Sequence, residues 1–592
     1  MIVLRGSKTD HGKFLSSVRE ITDALSAPSP CPLPRGARGH WTVISRTVPS
    51  SGNAKVRLGV WAVFALFGHP VFAQMELIVD ARNEFQVVDN FGASDAWSIQ
   101  PILSKWMAEE EETAIENLAD LLFSTDMGIG LSAWRFNIGA GSAEQGSESR
   151  IPDPLRRAEL MMAAPGAKID PAKQAGQIRM LREAHERGVR DLIAFANSPP
   201  VWATKNGLSH PGDGTGIGSS NLDPQHRQAF VEFLVDVVQH LREGADGIPV
   251  NYISPINEPT WEWEGQTQEG TPYSVREIKE VYRALRSALE RTGLSDVVHV
   301  DGPEVVEYTA ALSDEAKMEF DGALYEGGMN RRGVGRYRNY IDEFLGDKEM
   351  REILGGKLSL HGYFSDAWED RLGELRDITW KNVNQVAPGA RIWMSEFCIL
   401  GDAGNARTFT GGGFDPDDMD FALHVGKVIH RDLTRLNASA WQWWLAVTPY
   451  DYKDGLLKIS PTFEPETLQT SKVFWVLGNF SRFIRPAFQR VDVTNPDALD
   501  GLMVSAYRSP ERDELVVVIV NGGDSARVRL RSAISGQAFH AGTTRMFVTD
   551  EARSLEEVRW EEENIVPQKS VVTVLSKTVL ESMDQALSEK ED

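Results

Sequence analysis

Short apolar runs alternate with amphipathic segments from about residue 90 to residue 480 of the chain. In the segments 114–124, 177–188, 224–243 and 275–293, apolar residues recur at i, i+3 and i+4, which predicts helices. Eight apolar runs between the amphipathic segments are predicted as strands: VVDNFGAS (87–94), SAWRFNIG (132–139), RDLIAFANS (190–198), VNYISPINE (250–258), VVHVDGPEV (297–305), KLSLHGYF (357–364), RIWMSEF (391–397) and ASAWQWWLAV (438–447). This alternation is typical of βαβ units built around a parallel sheet.

The repeat number predicts an α/β fold, a (β/α)8 TIM barrel over residues 87–480, with its active site at the carboxyl ends of the strands. A doubly wound sheet is the alternative, but no glycine-rich phosphate turn follows the first predicted strand. Polar and aromatic residues concentrate at the predicted strand ends, which favours the barrel: Arg135, Asn137, Asn197, Asn257, Glu258, His361, Tyr363, Glu396 and Trp443.

The pattern changes after residue 480, where β-branched runs such as GLMVSAYRS, ELVVVIVNGG and SVVTVLSK are separated by turn residues. These runs predict a side antiparallel β-sandwich over residues 481–578. The segment 74–86, which precedes the barrel, also has the pattern of a strand, and we expect it to pair into the sandwich. The acidic segment 579–592 is expected to fray.

The N-terminal region indicates export. Residues 56–73 combine a basic start, an apolar run of about ten residues and the segment VFAQ with cleavage expected after Ala73, which is the layout of a secretory signal peptide. Residues 1–55 are rich in Pro, Gly and Ser and are expected to be a disordered or non-native leader, with the true start near Val56. We therefore expect a secreted or periplasmic protein without a membrane span in the mature chain.

Composition narrows the class of ligand. The formal net charge of −23 argues against a nucleic-acid partner, which would require a basic face. Sixteen tryptophans suit a neutral sugar ligand, on whose rings indole faces stack, although most tryptophans serve the core. Two cysteines cannot build a disulfide framework, and Cys398 is expected to be a buried apolar residue.

Two acids at strand ends carry the candidate chemistry. Glu258 closes the fourth predicted strand, where Pro259 is expected to end the hydrogen-bonded ladder, and Glu396 closes the seventh. The ends of these two strands can face each other across the mouth of a closed barrel. Retaining glycoside hydrolysis requires such a pair of carboxylates, because one attacks the anomeric carbon while the other donates and later accepts a proton.

The motifs at seven strand ends resemble, in order, those of glycoside hydrolase family 30. They are FGASDAW, WRFNIGAGS, FANSPPVWATKNG, SPINEP, LHGYF, MSEF and SAWQWWLAV, and the resemblance covers roughly residues 85 to 577. It departs from many members at Gly362, where they carry an aromatic residue. The family has a retaining (β/α)8 barrel with a side β-sandwich, as expected here from the residues.

The resemblance implies that Glu258 is the acid/base and Glu396 the nucleophile. It also implies that Asn257 binds the sugar 2-hydroxyl, Arg135 keeps Glu396 ionised, and Tyr363 donates a hydrogen bond to Glu396. The remaining implied positions are His361 on the floor, Trp443 as the platform beneath the sugar, and Trp202 as a wall. The other candidate substrate-binding residues are Asn197, Trp261, Trp263, Glu269 and Asp451.

The loop after Glu258 looks most like the endo-β-1,6-galactanase branch of the family, which suggests a plant or algal polysaccharide as substrate. A β-1,6-glucanase and a xylanase are the alternatives within the family, and a non-catalytic carbohydrate-binding protein is the alternative from another class. His424 and His430 are six residues apart and do not share a helix face as zinc ligands do. We expect no metal and no cofactor, and a monomer whose partner is a polysaccharide or oligosaccharide.

Overall fold

The structure is a computed structural model that describes residues 74–212, 219–244, 247–263, 267–313, 315–316, 339–366, 372–400, 409–494, 501–561 and 564–577. The predicted leader, signal peptide and acidic tail lie outside the described residues. Strands are numbered β1 to β20 in chain order. Helices of eight or more residues are Ile99–Ala108, Glu112–Phe123, Ala175–Glu186, Arg227–Glu243, Val275–Thr292, Leu372–Val386, Met419–Thr434 and Lys472–Ser481.

The first eleven strands are β1 (Gln74–Val87), β2 (Asn90–Ser94), β3 (Ala133–Ile138), β4 (Asp191–Ala196), β5 (Tyr252–Ser254), β6 (His299–Val300), β7 (Pro303–Val305), β8 (Lys357–His361), β9 (Arg391–Glu396), β10 (Ala438–Thr448) and β11 (Gly455–Lys458). The other nine are β12 (Gln469–Thr470), β13 (Gln489–Val493), β14 (Leu502–Arg508), β15 (Leu515–Asn521), β16 (Ala526–Ser532), β17 (Thr544–Thr549), β18 (Glu556–Val558), β19 (Asn564–Val566) and β20 (Ser570–Ser576). Shorter helices are Ser142–Gln145, Tyr308–Ala311 and Lys348–Ile353.

The parallel sheet runs in the order β6-β5-β4-β3-β2-β10-β9-β8-β7, so its two ends are neighbours in the sequence. The residues between β6 and β7 join these ends. The Asp301 N–H donates to Ile253 O at 2.9 Å, and Gly302 O accepts from the Ser359 N–H at 3.0 Å. The strands therefore close into the predicted (β/α)8 barrel, with β6 and β7 together forming the fifth strand.

The fourth and fifth strands differ most from the prediction. The fourth ends at Ser254 rather than at Glu258, because Pro255, not Pro259, is the first residue without an N–H to give the ladder. The fifth is broken at Gly302, which has a φ of +134°. A side chain does not fit there, since a Cβ would lie 2.0 Å from the Tyr282 hydroxyl oxygen. Both interruptions lie beside residues of the cavity described below.

The barrel interior holds side chains at its lower layers. Ala133, Ile193, Trp393 and Ala440 form a small apolar layer, against which Tyr252 packs. The large core lies outside the barrel, where the apolar faces of the surrounding helices pack against the strands. The strands thus form a filled scaffold whose upper ends remain free for chemistry.

The second sheet has the order β18-β17-β20-β15-β14-β13-β1-β16-β19 and a separate apolar core. Its strand pairs are antiparallel except for β1 and β16, which run parallel from Gln74↔Arg527 to Val79↔Ser532. Strand β1, from before the barrel, is therefore built into the sheet of C-terminal strands, as the sequence predicted. Among the described residues no helix has the length and apolar character needed to span a membrane.

A buried ion pair links two helices to the back of β10. The Asp432 carboxylate accepts hydrogen bonds from Arg376 Nε at 2.6 Å, Tyr308 Oη at 2.8 Å and Trp441 Nε1 at 2.9 Å. Arg376 and Asp432 are fully buried. Removing one partner from such a pair leaves an uncompensated charge in the interior.

We expect Asp432→Asn to lower the free energy of unfolding by about 3–5 kcal/mol, because the buried Arg376 guanidinium loses the carboxylate that it contacts at 2.6 Å. Asp420→Asn, on the same helix, is the matched control: its side chain is 60% exposed and pairs with Lys569. The control change should stay within about 0.5 kcal/mol. Guanidinium-induced unfolding of the three proteins measures both values, and equal stability of the two variants would contradict the expectation.

Candidate active site

A cavity of about 180 Å³ opens at the carboxyl ends of the barrel strands. It is lined by both predicted acids and by a largely aromatic wall: Asn257, Glu258, Trp261, Trp263, Thr267, Gln268, Val306, Tyr363, Phe364, Glu396, Leu400 and Trp444. Most of these residues follow the last hydrogen-bonded residue of a strand. The barrel therefore brings together residues that are up to 187 positions apart in the sequence (444 − 257).

Glu258 occupies a bend after β5. Its backbone has a φ of +43°, in the left-handed region that a glutamate rarely adopts, and its N–H donates to Glu304 O at 3.1 Å. Its Oε1 lies 3.1 Å from His361 Nδ1. The side chain is 9% exposed, so it contacts the cavity while the protein shields most of it from water.

Glu396 is the last residue of β9, and both of its oxygens have donors. Oε1 accepts from the Tyr363 hydroxyl at 2.7 Å, and Oε2 accepts from Arg135 Nη1 at 2.5 Å. Arg135 is fully buried in β3 and also packs over the Phe195 ring. These contacts hold the carboxylate in one orientation toward the cavity.

The two acids lie side by side. One oxygen of Glu258, one of Glu396 and a ring nitrogen of His361 all lie within 4.8 Å of one another. Carboxyl groups about 5–5.5 Å apart are typical of retaining glycosidases, whereas inverting enzymes need about 6.5–9.5 Å for a water molecule. The spacing favours attack by one carboxylate and proton transfer by the other.

Glu304 is a third buried carboxylate, and it is not among the site residues predicted from the sequence. It stands at the end of the fifth strand, with its oxygens 2.8 and 3.0 Å from Arg135 Nη2 and 2.9 Å from Ser254 Oγ. His361 Nε2 lies 3.9 Å away. The signal was present in the sequence, because Glu304 is an acid at a predicted strand end in the same way as Glu258 and Glu396.

The cluster sets the proton affinities of its members. Burial raises the pKa of Glu258, as do the charges of Glu396 and Glu304, whereas His361 lowers it. Burial opposes the charged form of His361, but the charge of Glu396 and the contacts with Glu258 and Glu304 raise its pKa to about 10. Burial also opposes ionisation of Glu304, yet Arg135 and His361 hold its pKa at about 2. Glu258 is therefore the acid of this cluster most suited to carry a proton.

Two amide side chains near the acids have buried atoms without a hydrogen-bond partner among the described residues. They are Oδ1 of Asn257, which lines the cavity, and both amide atoms of Asn197 at the end of β4. Unpaired buried amides are costly, and a ligand hydroxyl would satisfy them. This placement suits the substrate-binding role expected of Asn257. Asn197 is buried beside the mouth but is not one of the residues that line the cavity.

The aromatic wall differs in one position from the prediction. Trp261 stacks on Phe364 with ring centroids 6.3 Å apart and an interplanar angle of 14°, and Trp263 lies deeper, its Nε1 donating to Glu258 O. The structure corrects the expected position of the sugar platform from Trp443 to Trp444. Trp443 is fully buried behind the strand and donates to Asp454 O, whereas Trp444 faces the cavity, because successive side chains in β10 point to opposite faces.

Three other predicted subsite residues lie away from the cavity. Trp202 packs on Phe233 and donates to Met162 O. Glu269 is fully buried, and its oxygens accept from Ser142 and from the Ala140 N–H. Asp451 is exposed and accepts from the Phe414 N–H. Each anchors a loop, so these three expectations are corrected to structural roles.

Glu258, His361 and Glu396 also form the one group of potential metal ligands found in the described part of the chain. The oxygens of Glu396 are already engaged by Arg135 and Tyr363. A metal ion bound here would have to compete with the Arg135 guanidinium for the same carboxylate. The geometry therefore favours direct chemistry by the carboxylates.

The comparisons with known proteins agree with this geometry. The sequence profile of O-glycosyl hydrolase family 30 matches residues 74–458. The chain is 23% identical over 337 residues to the glucuronoxylanase XynC of Bacillus subtilis, with 56% of this chain and 60% of that protein aligned. The chain thus matches less than two thirds of the length of this curated relative.

Two solved structures illustrate the structural likeness. A conserved exported protein from Bacteroides fragilis has a TM-score of 0.71 and 27% identity, covering 85% of this chain and all of that one. An endo-β-1,6-glucanase has a TM-score of 0.57 and 16% identity, covering 86% of this chain and 94% of that one. At 16% identity the second likeness concerns the fold alone.

The protonated His361 makes a pH-dependent contribution to stability. Its pKa in the folded protein, about 10, lies above its unfolded value near 6.5, so the contribution is complete below pH 6.5 and is lost as the pH rises through 10. We expect the stability difference between wild type and His361→Asn to shrink steadily from pH 7 to pH 10, as measured by urea unfolding at each pH.

His430→Asn is the matched control. Burial lowers the pKa of His430 to about 4, so its folded form binds fewer protons than its unfolded form only between pH 4 and 6.5. The stability difference caused by this control should therefore be constant from pH 7 to pH 10. A constant difference for His361→Asn as well would contradict the assignment of a positive charge to His361.

Proposed function

The chain belongs to O-glycosyl hydrolase family 30, and from this we propose that it is a retaining β-glycoside hydrolase that cleaves a neutral polysaccharide. One observation carries the proposal: oxygens of Glu258 and Glu396 lie within 4.8 Å in a cavity with an aromatic wall. A sugar-binding protein without catalytic activity needs neither acid, and burying both would bring it only a cost in stability.

In the first step, the Glu396 carboxylate attacks the anomeric carbon while Glu258 gives its proton to the glycosidic oxygen that leaves. Arg135 and Tyr363 orient the nucleophile through the hydrogen bonds at its two oxygens. Burial raises the pKa of Tyr363 well above its ordinary value, so its hydroxyl stays neutral and donates. The product of this step is a glycosyl ester on Glu396.

In the second step, Glu258 takes a proton from water, which attacks the anomeric carbon and releases Glu396. Formation of the ester explains why Glu258 changes from general acid to general base. While Glu396 is ionised, its charge helps to raise the pKa of Glu258, and esterification removes that charge. Glu258 then gives up its proton more readily, and His361 stabilises its carboxylate from 3.1 Å.

The cavity suits a neutral sugar. Its described lining contains no Lys or Arg that could pair with the carboxylate of a uronic acid. The stacked Trp261 and Phe364 and the Trp444 side chain offer flat apolar faces for sugar rings. We place β-1,6-galactan first among the substrates, on the resemblance of the loop after Glu258 to endo-β-1,6-galactanases. β-1,6-Glucan and xylan are the alternatives.

We also propose that the protein is exported. The proposal rests on the signal-like segment 56–73, which lies outside the described residues. A relative in structure is described as an exported protein, which agrees with it. A polysaccharide too large to enter a cell would be cleaved where such a protein is released.

Replacing either acid tests the roles. Glu258→Gln and Glu396→Gln should each lower kcat/KM by at least about 10³-fold, because each removes one half of the double displacement. Glu269→Gln, also a buried glutamate but outside the cavity, is the control for general damage and should keep a much larger share of the activity. Normal hydrolysis by both site variants would refute the proposed function.

Azide separates the roles of the two acids. In Glu396→Ala, azide fills the place of the nucleophile, and we expect an α-glycosyl azide formed in one inversion. In Glu258→Ala, an aryl β-glycoside, whose phenolate leaves without a proton, still forms the glycosyl ester on Glu396, and attack by azide on this ester should give the β-glycosyl azide. NMR of the products determines the anomeric configuration. A β-azide from Glu396→Ala together with an α-azide from Glu258→Ala would contradict the assignment.

The substrate proposal is tested with purified protein on β-1,6-galactan, β-1,6-glucan, unsubstituted xylan and glucuronoxylan at equal concentration. We expect the highest rate of reducing-end release on β-1,6-galactan and no advantage for glucuronoxylan over unsubstituted xylan. Chromatography of the products resolves their sizes and thus the pattern of cleavage. Cleavage of xylans only would overturn the galactan assignment while leaving the retaining mechanism in place.

A further inference from the structure

Glu304 contacts both halves of the catalytic pair although it does not line the cavity. Its side chain shares Arg135 with the nucleophile: Arg135 Nη2 donates to Glu304, and Arg135 Nη1 donates to Glu396. Its backbone O accepts the Glu258 N–H at 3.1 Å. Among the described residues, no other carboxylate both shares Arg135 with Glu396 and accepts the Glu258 N–H through its backbone.

The backbone of Glu304 is held in an unfavourable conformation. Its φ is +51°, in the left-handed region, and it directly follows Gly302 and Pro303 at the break in the fifth strand. A regular strand would place this carbonyl in the barrel ladder instead of against Glu258. Left-handed non-glycine residues cost free energy and persist where other contacts of the structure fix them.

We propose that Glu304 is a positioning residue, which holds Arg135 against the nucleophile and, through its fixed negative charge, keeps the Glu258 carboxyl in the protonated form that the first step needs. This inference rests on the proposed function. Glu304 does not touch the substrate; it acts through Arg135 and through the field at Glu258.

Charge counting supports the assignment. With Glu304 and Glu396 ionised and Arg135 and His361 protonated, the four groups sum to zero, and Glu258 is stable as a neutral acid. Without the negative charge of Glu304, the same groups would sum to +1 and would stabilise ionised Glu258. Arg135 and His361 keep Glu304 itself ionised in the neutral range, where its pKa is about 2.

The titratable groups that face Glu258 come from four strands. They are His361 and Tyr363 at the end of β8, Glu396 of β9, Glu304 of β7 and Arg135 of β3. In a variant without the Glu304 charge, His361 keeps the Glu396 carboxylate at 3.5 Å and its contact with the Glu258 carboxyl group at 3.1 Å, and so stays protonated. The loss of the Glu304 charge then lowers the pKa of Glu258.

The pH dependence of kcat/KM distinguishes this role from a structural one. The alkaline limb of the kcat/KM profile reports the pKa of the general acid in the free enzyme. In Glu304→Gln we expect this limb to move to lower pH by about one unit, so the variant loses more activity at pH 8 than at pH 5. Glu304→Asp, which keeps the charge but shortens the side chain, should lower the rate without moving the limb.

Ser254→Ala is the matched control, because it removes a hydrogen bond from Glu304 and leaves its charge, and its alkaline limb should coincide with that of wild type. The rates are measured as reducing ends released from whichever of β-1,6-galactan, β-1,6-glucan and xylan the wild type cleaves. An unmoved limb in Glu304→Gln, or an equal shift in Glu304→Asp, would overturn the inference.

If Glu304→Gln fails to fold, the Glu304→Asp profile decides: an unmoved limb supports the inference, and a shift of one unit to lower pH overturns it. Failure of this inference differs from failure of the proposed function. In the former, Glu258→Gln and Glu396→Gln are inactive while the Glu304→Gln limb stays in place. In the latter, the two acid variants hydrolyse the substrate as wild type does.

Discussion

The site depends on the balance of charge among five side chains buried at the mouth of the barrel. Three carboxylates and two cations share this small volume, and each of the carboxylates has a cation within hydrogen-bond or ion-pair distance. Isolated charges at this depth would cost several kcal/mol each, so the group is stable only as a set. The same balance that permits the burial leaves one proton on Glu258, and the proposed chemistry uses that proton.

The barrel brings these five side chains together because its strands end at the same edge. The fourth and fifth strands contribute to this arrangement by departing from regular geometry. Regular strands would place alternate side chains inside and outside the cylinder at fixed heights. Pro255 ends the fourth strand early, and the break at Gly302 interrupts the fifth. These two interruptions free the backbones of Glu258 and Glu304 to bond to each other. The deviations from regular structure thus lie beside the residues with candidate chemistry.

The sequence predicted the barrel, the sheet that β1 joins and the two acids in the cavity, because periodicity and strand-end acids are local signals. It misplaced the sugar platform by one residue, at Trp443, because the run SAWQWWLAV has tryptophan on both faces and residue type alone does not choose between Trp443 and Trp444. Trp202, Glu269 and Asp451 have the residue types of a subsite, yet their loops fold them away from it. Glu304 is also an acid at a predicted strand end, so its position could have been selected from the sequence. Its contacts with Arg135 and Glu258 could not, because contacts between distant residues leave no mark on hydrophobic periodicity.

The insertion of β1 between β13 and β16 bears on how the protein is made. During synthesis β1 leaves the ribosome about 400 residues before either neighbour, which at 5–20 residues per second means a wait on the order of 20–80 s. Throughout that interval the nascent chain carries a long strand with unpaired edges and one apolar face (Leu77, Val79 and Ala81), a target for chaperones and for aggregation. Cutting the gene between barrel and sandwich would therefore leave the C-terminal sheet without the strand that lies between β13 and β16.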